Sequence, residues 1–441
     1  MTDLQYHTVG EHRQRILTLV PHLPHQVLPL AKAIGYTLAT DTAAGLDLPP
    51  WNNSAMDGFA LRAKDTANAT KDSPVQLAII AELPAGTDAD PKLGPGQAAR
   101  IMTGAPIPTD ADAIVPLEDV LGWDPGAPTA GTPPPDSVIL DKPVEKGRYI
   151  RSRGDDLRLG DRVASAGEHL TPHRLSSLAA AGITEVQVRT KPRVAIVSTG
   201  SELKAPGEPL RRGQILDSNS LLLATLVDTS GGEVVLCDRV SDDPSELKSI
   251  LESTRETVDV VVLTGGASVG AHDVARLVLS PHASGGVQLG ESNHSDRALM
   301  DTAVRFDRLA MQPGKPQGFG LLPNGRPVWS LPGNPVSAWV SYLLFVEPGL
   351  LAMQGRSKPV ADWQPVTAVE SWDSPPHREQ FVPARVVSAT GEPLQVVPAT
   401  DRGSGSHLAG RMARATGLAR VAAATTKVSA GDNVLYRSLE N

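Results

Sequence analysis

The chain has a single cysteine in 441 residues. That excludes an internal disulfide framework and any zinc site built on several thiolates, and it points to a reducing compartment. The thiol, Cys237, ends the apolar run Val234-Val235-Leu236, which predicts a buried place in a core. No apolar run reaches the roughly 20 residues that a membrane helix requires, so no membrane partner is expected. The opening stretch, MTDLQYHTVGEHRQR, lacks the apolar core of an export signal. A cytoplasmic location is the expectation. Long basic blocks are missing too, and formal net charge is −8. Nucleic-acid binding needs a cationic face that displaces counterions, so that class is disfavoured. An acidic protein can still bind anions through local devices: glycine loops, helix N-termini and a few placed cations.

What is present reads as a soluble globular chain, 40% hydrophobic and 20% charged, too long for one core. Residues 1–45 read as helical segments with a proline break, including the amphipathic stretch LPLAKAIGYTLATD. From 46 to 144 proline and glycine become frequent and apolar runs short, which predicts a small inserted β-rich domain. Within it, Asp124 to Asp136 is too rich in Pro and Gly to form a core and reads as a surface loop. Residues 145–190, with a helix near Thr171–Ala181 stopped by Gly182, are expected to rejoin 1–45. Residues 191–354 alternate strand and helix, the pattern of a doubly wound parallel sheet with helices on both faces. In that stretch Asp243-Pro244-Ser245-Glu246 has the composition of a helix start. Residues 355–441 fall into short alternating segments, a small β-barrel or sandwich. The fold class is therefore multi-domain α/β plus β.

Ligands of open parallel sheets bind at the carboxyl ends of strands. Three motifs lie there. Thr264-Gly265-Gly266-Ala267-Ser268-Val269-Gly270 follows the strand Val258–Leu263, and its glycines let backbone approach an anion; on its own it is also what a tight strand–helix turn needs. Leu331-Pro332-Gly333-Asn334-Pro335 joins a strand to the helix Val336–Phe345, with Asn334 a natural cap and Pro335 a natural first-turn residue. Ser198-Thr199-Gly200-Ser201-Glu202, with Asp217-Ser218-Asn219 shortly beyond, offers hydroxyls beside a carboxylate that can take a ligand's N–H edge or Mg²⁺. Lys315, held in Gln312-Pro313-Gly314-Lys315 with Arg308 upstream, can meet an oxyanion. Polar side chains crowd glycine turns at Asn53–Ala60, Arg100–Pro106 and Arg151–Asp156. His22 and His25 lack a third ligand and read as surface residues.

Taken in order, NSAMDGFAL, RIMTGAPIP, RSRGDDL, STGSEL, GQILDSN, TGGASVG, MQPGKP and LPGNPVSA closely resemble the molybdopterin molybdenumtransferase family, that is, MoeA-type proteins and the matching domain of gephyrin. The match runs from Asn53 to Ala338. The resemblance implies a four-domain, elongated homodimer, with 1–45 and 145–190 as its elongated linker and dimerisation domain and a cleft between the α/β domain of one copy and the inserted domain of the other. It implies the reaction of adenylyl-molybdopterin with molybdate, in the presence of Mg²⁺, to give molybdenum cofactor, AMP and water. It implies a molybdopterin adenylyltransferase as donor and apo-molybdoenzymes as recipients. Carried over by position, Asp57, Thr103, Glu202, Asp242 and Asp273 match functional residues of the family. Of these, Glu202, Asp242 and Asp273 are the candidate metal ligands. Ser198, Thr199, Gly200, Gly265, Gly266, Ser268, Gly270, Pro332, Gly333, Asn334, Pro335 and Asp156 are the candidates for holding pterin and nucleotide. Molybdate, a tetrahedral dianion, needs cationic and hydroxyl donors, for which Lys315, Arg308, Arg385 and Ser406 are the candidates.

The departures concern that last group. The family's lysine ahead of Pro-Gly-Lys is Gln312, its first lysine is Arg308, and its barrel arginine falls near Pro383, with Arg385 two residues later. A pterin-binding scaffold on the same fold, and a hydrolase of nucleotide-like phosphoanhydrides, remain alternatives.

Overall fold

Alternation within single strands shows how the central layer is built. In the strand Arg193–Thr199, Val194 and Ile196 belong to one buried cluster, and Ala195 and Val197 to another on the opposite face. The strand Val260–Thr264 divides likewise, Val260 and Val262 from Val261 and Leu263. A sheet apolar on both faces must be covered on both. Helices Val9–Leu19, Asn219–Thr229 and Pro335–Ser341 cover the first face, and Pro244–Ser253 and Val274–Leu279 the second. The computed structural model describes residues 6–122, 135–266, 273–280, 303–389, 391–400, 405 and 408–439.

The central sheet runs Glu233–Val240, Arg193–Thr199, Val260–Thr264, Pro327–Leu331, Pro316–Leu321, Arg305–Arg308. The first four strands are mutually parallel, and the last two join antiparallel. The doubly wound expectation therefore holds with an antiparallel edge, made by the turn between Leu321 and Pro327. Asp243 caps its helix by accepting from Ser245 N at 2.9 Å. Glu246 does not complete a capping box; its carboxylate accepts from Ser241 N at 2.7 Å instead.

A second, five-stranded sheet lies wholly within 46–144, with buried clusters on either face centred on Phe59 and Leu77, and on Leu83 and Ile101. Residues 123–134, which include most of the expected Asp124–Asp136 loop, lie outside the described residues. The segments flanking this sheet pair with each other: His25–Pro29 with Glu185–Arg189, and Thr42–Ala43 with Arg162–Ala164. The helix Pro172–Ala180 is followed by Gly182 at φ 82°. Five strands between Gln364 and Ser438 close into a barrel around Val382, Val396 and Tyr436. Arg437 ties that barrel to the central domain through Glu347 (2.8 and 2.6 Å).

Two expectations change. The stretch Leu28–Asp41 is not a helix but a strand end, one 3₁₀ turn at Leu30–Lys32 and single bridges. Pro29 and Gly35 (φ 78°) interrupt it, and the partner strand at 185–189 offers its backbone better bonds than a helix broken at both ends. Cys237 is exposed. It lies on an edge strand whose alternate residues, Glu233, Val235 and Cys237, point away from the core. His22 and His25 are exposed, as expected. Finally, the continuous helical stretch Pro335–Met353 has 19 residues and a mean hydropathy of 1.5 in its most apolar window, of which 83% is buried. Its length and composition match a membrane span, yet its apolar surface is packed in the core.

Candidate functional site

The strands Arg193–Thr199, Val260–Thr264 and Pro327–Leu331 lie in adjacent parallel register, so their carboxyl ends release three loops at one edge. A cavity of about 310 Å³ opens there. Ser198, Thr199, Glu202, Gly265, Gly333, Asn334 and Pro335 line it, all expected from sequence. Glycine is required at the closest approach. A Cβ on Gly265 (φ 109°) would sit 2.3 Å from Thr199 O, and one on Gly333 would sit 3.2 Å from Gly265 Cα. The amide of Gly265 is not offered to a ligand, because it donates to Leu331 O at 3.2 Å; that of Gly200 donates to Val240 O at 3.1 Å. These glycines therefore shape the floor by contact rather than by free N–H groups. Gly266 is fixed by the neighbouring helix, since a Cβ there would meet the Ala275 methyl at 2.4 Å.

Two residues outside the expected site set organise this floor. Asn219, 8% exposed, donates from Nδ2 to Thr264 Oγ1 (2.9 Å) and to Gly333 O (2.7 Å), tying two loops together. Asp217, 2% exposed, accepts from Ser220 N (3.0 Å), Ser220 Oγ (2.5 Å) and Ser198 Oγ (3.3 Å). Both line the cavity. Their sequence signal was the motif GQILDSN. The sequence placed Asp217-Ser218-Asn219 shortly beyond the Ser198–Glu202 motif, but spacing alone does not reveal the long-range bonds they make. Asn334 precedes the helix begun by Pro335 but makes no side-chain capping bond. Pro332 contributes its carbonyl to Thr264 Oγ1 at 3.3 Å.

The acids do not gather into a cage. Asp242 accepts from Ser201 Oγ (2.7 Å) and Ser201 N (3.3 Å), beside the exposed Glu202. Asp273 is buried and caps the next helix, accepting from Arg276 N at 3.1 Å. Among the described residues no group of three or more His, Cys, Asp or Glu is placed to hold a metal ion. Ser268 and Gly270 lie outside the described residues.

In the inserted sheet, Asp57 and Thr103 meet. Asp57 Oδ1 accepts from Thr103 N at 2.6 Å and from Thr103 Oγ1 at 2.8 Å. The neighbouring Gly58 allows this turn to press on the next strand, for a Cβ there would lie 2.0 Å from Val115 O. Both polar residues are exposed, and neither lines the cavity. Asp156 is exposed, with its N–H on Leu48 O at 2.9 Å.

The oxyanion candidates separate. Lys315 places its ammonium 4.6 Å from the centroid of the Tyr6 ring, and Arg308 lies in the strand whose end carries this turn. Arg385 is exposed farther along the barrel strand Glu379–Val386. Gln312 pairs with Gln380 there, and five residues of strand separate Gln380 from Arg385 by about 16 Å. Arg385 is thus not brought to Lys315. Ser406 lies outside the described residues.

Comparisons with known proteins agree along the whole chain. Residues 7–182 match the family model described as MoeA N-terminal region (domain I and II). Residues 195–352 match a probable molybdopterin binding domain, and 365–439 the MoeA C-terminal region (domain IV). Molybdopterin molybdenumtransferase 2 of Mycobacterium tuberculosis is 36% identical over 96% of this chain and 97% of its own length. Molybdopterin molybdenumtransferase of Nostoc sp. is 32% identical over 96% and 92%. The crystal structure of a molybdopterin biosynthesis moeA protein from Pyrococcus horikoshii OT3 superposes with a TM-score of 0.77 at 26% identity, covering 98% of this chain and 99% of that one.

Proposed function

Because this chain belongs to the molybdopterin molybdenumtransferase family, we propose that it inserts molybdate into adenylyl-molybdopterin, releasing AMP and water, in molybdenum-cofactor synthesis. The observation that carries the reading is the cavity where three strand-end loops meet, closed by glycines at Gly265 and Gly333. Its hydroxyl, amide and carboxylate lining suits the polar edge of a pterin and the oxygens of a phosphoanhydride.

In this reading the glycine floor and the Asn219 tie orient the pterin nucleotide, and Ser198 and Thr199 offer hydroxyls to its polar edge. Magnesium, when bound, neutralises charge that develops as the phosphoanhydride breaks. Such an ion needs only one or two carboxylates when phosphates supply the other oxygens. The adjacent Glu202 and Asp242 fit that demand better than an all-protein cage. Asp57 and Thr103 lie outside the cavity lining, which supports a homodimer in which the sheet within 46–144 of one copy closes over the 191–354 cavity of the other. The fixed Asp57 carboxylate would then orient water or hold a proton at the reacting phosphorus. We place the protein in the cytoplasm, fed by a molybdopterin adenylyltransferase and serving apo-molybdoenzymes.

Gln312 in place of a lysine favours a second reading, a pterin-binding scaffold with weak oxyanion affinity. Purified protein incubated with adenylyl-molybdopterin, Mg²⁺ and molybdate separates these two and the hydrolase alternative. A transferase releases AMP and its product reconstitutes an apo-molybdoenzyme; a scaffold does neither; a plain hydrolase gives AMP alone.

A further inference from the structure

The segments that flank the inserted sheet pack into a small domain, and one face of it is turned away from its own core. Leu38 N donates to Glu168 O (2.9 Å) and Leu170 N to Tyr36 O (2.8 Å), which sets Thr37 opposite His169. On the other side Arg189 N donates to Thr37 O (2.9 Å) and Ala39 N to Gln187 O (2.8 Å). Leu38 therefore lies opposite Val188, and Thr37 opposite Arg189. Leu38, Leu170 and Val188 enter the buried core of this domain. Side chains alternate along a strand, so Thr37, His169 and Arg189 share the opposite face.

The end of the long core helix covers that face. Gly355, at φ 71°, turns the chain there, and a Cβ on it would lie 3.5 Å from Arg189 Cγ. Ser357 N donates to Gly167 O at 3.0 Å, and a Cβ on Gly167 would lie 2.9 Å from Gly355 O. Arg356 is thereby set beside His169, whose imidazole is held below its ordinary value by burial and then by the Arg356 charge.

Covered in this way, Thr37 Oγ1, His169 Nδ1 and Arg356 Nε are shut off from solvent without a hydrogen-bond partner. Thr37 is 1% exposed. Buried polar atoms are ordinarily answered by a partner or an ordered guest. Arg174 donates to His169 O at 2.8 Å and engages Glu168 at 3.2 Å. Among the described residues, Arg189 and Arg356 pair with no carboxylate. A water molecule would meet the hydrogen bonds but not these two charges.

We propose that Thr37, His169 and Arg356 enclose a small inorganic anion of the halide type, which ties the domain flanking the inserted sheet to the central domain. Closure of all three atoms suits a single-atom guest rather than a molecule. The Thr37 hydroxyl and Arg356 Nε–H donate to it. Its charge draws a proton onto His169, so that Nδ1 donates as well; Glu168 and the Tyr36 carbonyl favour that proton, and Arg174 and Arg356 oppose it. None of these residues lines the cavity at the strand ends, and the site does not depend on the transferase reading.

Crystals of the full chain soaked in sodium bromide, measured at the bromine absorption edge, test this directly. An anomalous peak should lie within hydrogen-bonding reach of Thr37 Oγ1, His169 Nδ1 and Arg356 Nε. In solution, replacing gluconate by chloride at constant ionic strength should raise the melting temperature by about 2–4 °C, and by more at pH 6 than at pH 8. Arg356→Gln and Thr37→Val should abolish the shift, and Thr37→Ser should keep it. If Arg356→Gln, however destabilised, keeps the full chloride shift, the anion binds elsewhere and the inference fails. Ordered density at the three atoms without anomalous signal identifies water and overturns it. Bromide seen at soaking concentration only, with no chloride shift in solution, overturns it as well. An equal shift at both pH values removes His169 from the site.

Discussion

Gly265→Ala tests the geometry of the cavity with one methyl group. At φ 109° an L-residue pays about 1–2 kcal/mol relative to glycine. The new Cβ would also sit 2.3 Å from Thr199 O and 2.9 Å from Thr199 Oγ1. The first of these is backbone, so no rotamer change relieves it, and overpacking of this kind costs about 1–3 kcal/mol. The two add to about 2–5 kcal/mol. Relief is available only by drawing the Thr264–Gly265 strand end away from Thr199, which deforms the cavity. Binding must then restore the shape, so affinity for adenylyl-molybdopterin should fall by about thirtyfold or more, at 1.4 kcal/mol per tenfold. Titration of the pterin nucleotide, with circular dichroism to show that the sheet persists, reads the effect. Wild-type affinity in a folded Gly265→Ala variant would refute the claim that this contact shapes the ligand's seat.

Asp57→Asn should leave the fold unchanged, since an amide oxygen can still accept from Thr103 N and Oγ1, yet slow AMP release about a hundredfold or more; unchanged turnover removes Asp57 from the mechanism. Asn219→Asp loses both Nδ2 donations and sets a buried charge against Thr264 and Gly333, which should lower the melting transition of the central domain by an amount equivalent to about 2–4 kcal/mol, read by calorimetry. His12 and Asp307 predict acid sensitivity. Burial pushes His12 below the ordinary imidazole value. For Asp307, burial acts upward, but the His12 imidazole 3.4 Å away outweighs it and the carboxyl lies low. Both folded values lie below the unfolded ones, so the unfolded chain binds protons first as pH drops. Stability from His12 is full above about pH 6.5 and falls by up to about 1.4 kcal/mol per pH unit below it, with Asp307 adding its loss at lower pH. Melting curves between pH 7 and 5 should show this slope, and His12→Gln, which keeps a donor for Asp307 but cannot ionise, should flatten it.

The parallel core was legible because its strands announce themselves twice, by unbroken apolar runs and by glycine-rich exits such as Gly265-Gly266. Position after a strand sufficed to bring Ser198, Thr199, Gly265, Gly333 and Asn334 to one cavity. The stretch beginning at Leu28 was misread because amphipathic spacing ignores pairing, and the partner of its strand end, Leu28–Pro29, lies about 160 residues away, at Glu185–Val186. Cys237 was misplaced because an apolar run does not reveal whether its strand is central or at an edge. Asn219 was not assigned, since it acts through neighbours distant in sequence. Arg385 was favoured for closeness to a family position, but distance along a β-strand is real distance in space.

The structure of the chain crystallised with adenylyl-molybdopterin is the decisive measurement. Pterin and phosphates should occupy the cavity bounded by Gly265, Gly333 and Asn334, with Asp57 of a second copy facing the phosphorus. Ligand bound elsewhere on the chain, with that cavity left to solvent, would contradict the assignment.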